Sequence, residues 1–129
     1  MHMFKPEQLT EVFFYEVLDW RRSVDHPTHW EQKNVDGHSF IGADLPKLHH
    51  SLDLQEEWVW PELRKEIFMF TEFTQEGADD YLCDLSNLRS QKFGAKAGTK
   101  AEAQLLAALQ VLRVDAQKVV DKLDAQEKE

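Results

Sequence analysis

The stretch Thr99-Lys100-Ala101-Glu102-Ala103-Gln104-Leu105-Leu106-Ala107-Ala108-Leu109-Gln110-Val111-Leu112 opens the most regular pattern in the chain. Thr99 and Glu102 have the Thr-x-x-Glu form of a capping box, in which side chains satisfy the N–H groups that a first helical turn leaves without partners. Leu105, Leu109, Leu112, Ala116, Val119 and Leu123 then recur at alternating spacings of four and three, the repeat of one helix face. No Gly or Pro interrupts residues 99–125, and Ala, Leu, Gln and Lys are strong helix formers. The spacing predicts one helix over residues 99–125.

Similar stripes precede it. Tyr81, Leu82, Leu85 and Leu88 predict a helix over residues 79–93 that stops at Gly94. Leu63, Ile67, Phe70 and Phe73, spaced four, three and three, predict another over residues 54–75. Asp53 and Glu56 offer it a capping box, Gly77 a stop, and Pro61 a kink or a fresh start near Trp60. A first helix is predicted over residues 6–22. There Pro6 suits the opening position, Glu7 and Arg21-Arg22 complement the helix dipole, and Leu9, Val12, Phe13, Val17 and Trp20 mark a core face. Residues 23–52 read as irregular, and the Asp36-Gly37 turn signal allows a short β-hairpin inside residues 30–42. The expected fold is mainly α: a single four-helix, bundle-like domain with a long irregular connection between its first two helices.

A chain of 129 residues is the size of one domain, and 42% hydrophobic residues argue against disorder. The single cysteine, Cys83, excludes an intrachain disulfide and fits a reducing compartment. Its expected role is a small core residue, since no His or Asn can be placed beside it to activate a thiol. Residues 1–6 lack the apolar run of a signal peptide, and no stretch of about 18 apolar residues occurs, so the expected location is cytoplasmic.

The net charge is −9, and it is unevenly spread. Residues 51–77 carry seven acids and two bases, whereas residues 78–129 carry nine acids and eight bases. Such a chain repels nucleic-acid backbone and suits a basic protein surface.

Four constellations invite a chemical reading. Five of the six histidines, His26, His29, His38, His49 and His50, fall within 25 residues. Imidazole is the commonest ligand of transition metals, so His26, His29 and His49 form the candidate metal set, with zinc the natural ion. Glu56-Glu57 and Asp79-Asp80 on facing helices would resemble the Mg²⁺-binding, all-helical nucleotide pyrophosphohydrolases of the MazG kind. Trp60 and Cys83 stand where that pattern needs further carboxylates. Lys96 and Lys100, at the start of the last helix, are candidate anion contacts; the Gly-x-x-x-x-Gly-Lys spacing of a phosphate loop is absent. Finally, the aromatics exceed what one face of each helix needs, and surplus rings are common interface anchors.

With no catalytic set in view, the leading reading is a non-enzymatic protein that binds another protein, as an inhibitor, immunity factor or adaptor does. Glu56, Glu57, Glu62 and Glu66 would supply charge to a basic partner, and Trp58 and Trp60 would anchor it. The alternatives are a metal-dependent enzyme or metal-binding protein using residues 26–50, and a structural subunit that forms a homodimer through the fourth helix.

Overall fold

The computed structural model describes residues 5–22, 29–33, 39–42, 45–65, 68–87, 89 and 91–127. The chain is α+β and not a mainly-α four-helix bundle. Its elements run α1 (Pro6–Val12), a π-helical turn (Phe13–Val17), β1 (Arg21–Arg22), β2 (Trp30–Lys33), β3 (Ser39–Gly42), α2 (Leu52–Trp58), α3 (Trp60–Lys65), β4 (Phe68–Gly77), β5 (Asp80–Asn87), β6 (Lys92–Ala97), α4 (Lys100–Val111) and α5 (Ala116–Glu127). The strands form two antiparallel sheets, ordered β1-β2-β3 and β4-β5-β6.

The expected helix over residues 79–93 and the second half of that over residues 54–75 are strands. Phe70, Thr71, Phe73 and Thr74 are aromatic or β-branched, types that fit a pleated surface better than a helix. Thr71 opposes Leu85 and Phe73 opposes Cys83, so alternate residues share one face. Cys83 and Leu85 are wholly buried on it. The turn between the two strands is made by Ala78 and Asp79, flanked by Gly77 and Asp80. β6 continues the alternation, with Phe93, Ala95 and Ala97 packed on the core and Lys92, Gly94 and Lys96 exposed. Gly94 lies beneath Asp84, where an added Cβ would come within 2.5 Å of Oδ1. What the sequence presented as helical spacing in Tyr81, Leu82 and Leu85 is a coincidence of period two with period three to four.

The last predicted helix is real but divided. Thr99 accepts from the Glu102 N–H at 3.2 Å and starts α4. Arg113 then adopts φ 61°, and Val114 N–H reaches back to the Leu109 carbonyl at 2.9 Å, a left-handed C-terminal cap. Asp115 Oδ1 accepts from Lys118 N–H at 3.2 Å and begins α5. The same device shortens the first helix. Asp19 has φ 62°, Trp20 N–H donates to the Phe14 carbonyl at 2.8 Å, and the Arg21 guanidinium covers the Tyr15 and Trp20 carbonyls. α2 is capped by Ser51, whose hydroxyl accepts from Leu54 N–H at 3.2 Å, instead of by Asp53. A new helix starts at Trp60, with Pro61 in its first turn, where the missing N–H costs little.

α4 is the axis of the molecule. Ala101, Ala103, Leu105, Ala107, Ala108, Leu109 and Val111 are all buried. Its alanines allow close approach to β5 and β6, while α1 and α2 pack on its other sides. Of the apolar stripe read from the sequence, Leu105, Leu109, Val119 and Leu123 are buried within the chain, while Leu112 and Ala116 are half-buried.

Candidate functional site

α4 packs chiefly on β5 and β6, and the third strand of that sheet is met by the short helix α3. A groove of about 600 Å³ opens between β4 and the α2–α3 pair. Thr71 and Phe73 form its strand wall, and Leu52, Asp53, Glu56 and Arg64 its helical wall. Trp60 and Gln104 lie at the bottom, both buried.

The floor is fixed by a buried amide network. Gln55 donates to the Leu48 and Ala101 carbonyls at 2.7 and 2.6 Å and accepts from Gln104 at 2.7 Å. This ties α2, the 45–50 segment and α4 together, and each buried amide oxygen or nitrogen so engaged avoids a desolvation cost of about 1–3 kcal/mol. Arg64 pairs with Glu56 and lies 5.9 Å over the Trp60 ring. Lys100 lies 5.7 Å over the Phe73 ring. Asp53 has no ion-pair partner among the described residues, and Leu52 stands 36% exposed at the rim. Behind the strand wall, Thr71 and Cys83 share a hydrogen bond of 3.4 Å. Burial pushes the Cys83 thiol up, Thr71 opposes that shift and Asp84 adds to it, so the sulfur stays protonated at neutral pH.

Of the residues singled out in the sequence, Glu56 and Trp60 line this groove together. Glu57 is exposed on α2. Trp58 points elsewhere: it is half-buried against Phe14 and Trp20, with ring centroids 5.2 and 6.2 Å away. Glu62 is paired with Lys65 at 2.9 Å. Glu66 lies outside the described residues. The sequence reading missed Leu52, Arg64, Thr71, Phe73 and Gln104. Alternation of Thr71 and Phe73 with Phe70, Glu72 and Thr74 was the available signal for the strand wall.

Among the described residues, the remaining candidates do not converge on one site. His26 lies outside the described residues, and His29 is half-buried beside β2. His49 is buried 39 residues away in sequence from its partner Thr10. The His49 backbone N–H donates to Thr10 Oγ1 at 3.3 Å, and the same hydroxyl shares a hydrogen bond of 2.8 Å with His49 Nδ1. Burial is the largest cause holding this imidazole below its ordinary value; His50 and Lys47 add to it and Glu7 opposes it. Among the described residues, no three His, Cys, Asp or Glu side chains are placed to hold a metal ion. Lys96 is bound to Glu76 at 2.7 Å, which raises its pKa, while Lys100 rests on Phe73, so the two ammonium groups are engaged separately. Asp80, a candidate carboxylate of a facing-helix pair, sits on β5.

No helix among the described residues is long and apolar enough to cross a membrane. No family model matches the chain, and neither does any curated protein or solved structure.

Proposed function

We propose that this chain is a non-enzymatic protein-binding protein of the inhibitor, immunity-factor or adaptor kind, and that it docks a partner with a basic surface through the groove between α2–α3 and β4. The observation that supports this is an aromatic and amide floor under a carboxylate rim. Trp60 and Phe73 supply apolar area, while Asp53 supplies a carboxylate, unpaired among the described residues, at the mouth beside the Glu56–Arg64 pair. Rings at the centre and charge at the edge are the arrangement in which burial gives affinity and electrostatics give orientation and on-rate. A net charge of −9 favours a basic partner over nucleic acid or another acidic protein. The single reduced cysteine suits a cytoplasmic setting.

The test is retrieval of the partner from extract of the source cells, with the wild-type chain and two rim variants as baits. Leu52→Asp adds a charge to the apolar rim, and Asp53→Lys reverses the free carboxylate; neither residue is buried, so folding is retained. The wild type is expected to retain a partner that both variants lose, with capture weakening as salt is raised. A partner held equally by all three baits places docking elsewhere on the molecule.

A further inference from the structure

We infer that the partner's contacting element is an extended segment that adds to β4 as a fourth strand, its apolar side chains facing the groove and its Lys or Arg side chains facing the opposite side of the sheet. This rests on the docking reading above and specifies the shape and chemistry of what docks.

β4 is the edge of its sheet. Among the described residues it pairs with β5 alone, in unbroken register from Phe70 opposite Ser86 to Gln75 opposite Tyr81. Irregularities fall only at the two ends of that run. Alternate residues of an edge strand direct N–H and C=O groups away from the sheet, which is a template for another strand. Thr71, Glu72, Thr74 and Gln75 are exposed, as that geometry requires. Proteins usually guard such an edge with Lys or Pro. β4 has neither, and its only charges are Glu72 and Glu76.

The two faces of the strand specify the occupant. Thr71 and Phe73 face the groove, so every second residue of an added strand would meet apolar surface beside Leu52. On the other face Phe70 is 53% exposed, and Glu72 stands directly opposite Asp84. Two carboxylates paired across strands repel one another. Neither has an ion-pair partner among the described residues, whereas Glu76 already has Lys96. A cation on an added strand next to Glu72 would relieve that repulsion. A second copy of this chain would instead bring its own acidic edge and its own −9 charge.

The test uses the full chain and a nine-residue peptide that alternates Lys with Val and Thr. One control carries Glu in place of Lys, and a second carries Pro in place of Val, which removes strand donors. Binding is followed by calorimetry and by residue-resolved hydrogen exchange. The Lys peptide is expected to bind at least tenfold tighter than either control and to slow exchange of the outward β4 amides between residues 70 and 75 at least tenfold. Glu72→Lys is expected to weaken it at least tenfold with an unchanged circular dichroism spectrum. Equal binding of the Pro peptide, protection confined to α2–α3, or dimerisation of the chain through β4 in light scattering each overturns strand addition. If the cellular partner is lost by Leu52→Asp while the Lys peptide leaves β4 unprotected, the docking groove survives and strand addition does not. If Leu52→Asp and Asp53→Lys leave that partner bound, the groove itself is wrong.

Discussion

The two halves of the β4-β5-β6 sheet share a register but not a fate. Over β5 and β6, α4 lays down alanines and leucines until Cys83, Leu85, Leu105 and Ala107 have no exposed surface at all. Over β4 the packing is looser: the short helix α3 meets the strand, and a groove opens between β4 and the α2–α3 pair. A domain able to bury one half so completely is not short of apolar residues, since Leu52 and Phe70 remain exposed on the other. The difference separates what holds the molecule together from what it leaves accessible: the closed half carries stability, and the open half is where we propose that recognition occurs.

Substitutions sharpen that contrast. Leu105→Ala, on the closed side, is expected to cost about 3 kcal/mol, the range for a fully buried leucine whose surroundings collapse only in part. Urea unfolding measures it, and a loss under 1 kcal/mol would mean the closed half is loosely packed. Gln55→Ala should cost about 2 kcal/mol, because it strands the Leu48 and Ala101 carbonyls and the Gln104 amide.

The Thr10–His49 contact makes a pH prediction. Burial holds the His49 imidazole below its ordinary value of about 6.5 in the folded chain, so the unfolded chain takes up that proton first as pH falls. Its contribution to stability is therefore complete above about pH 6.5 and declines below that toward the folded value. His49→Asn keeps an acceptor near the Thr10 hydroxyl and removes the titration. It should flatten the stability profile between pH 7 and 5 relative to wild type, as read from melting temperature against pH. Glu7, Glu11, Lys47, His50 and Trp30 line the cleft that this ring faces.

Two smaller effects complete the comparison. Arg113→Gly, at the left-handed break between α4 and α5, should stabilise by about 0.5–1 kcal/mol, because glycine adopts φ 61° without a Cβ penalty. Phe70→Ser, on the open side, should change stability by no more than about 0.5 kcal/mol, since most of the ring already meets water. A large loss there would show that the open half is part of the core.

Part of the capping chemistry was legible in the sequence, whereas sheet formation in the middle of the chain was not. Thr99 starts α4 as its spacing to Glu102 predicts, whereas Ser51 and not Asp53 caps α2; β2 and β3 do pair antiparallel within residues 30–42, and Asp36-Gly37 itself lies outside the described residues. The failure lies at residues 68–97. Phe70 with Phe73 and Leu82 with Leu85 satisfy a helical spacing, yet the pairs that matter are Thr71 with Phe73 and Cys83 with Leu85, two apart. Local spacing cannot choose between the two periods when apolar residues are dense; the covering helix α4 chooses, and it lies far along the chain. The same long-range cause hid the groove. Glu56 and Trp60 were visible as a charge and a ring, but Thr71 and Phe73 join them only once β4 is a strand. Arg113 gave no warning of its left-handed backbone, because neither its type nor its neighbours Leu112 and Val114 mark a helix end.

Residue-resolved hydrogen exchange of the free 129-residue chain tests the division of the sheet most directly. The amides of Cys83, Leu85 and residues 105–109 should exchange only through global unfolding, while every second amide between Phe70 and Gln75 exchanges as fast as an exposed loop. Uniformly slow exchange along β4 would contradict the account, because it would mean that the edge is already covered and has nothing left to offer a partner.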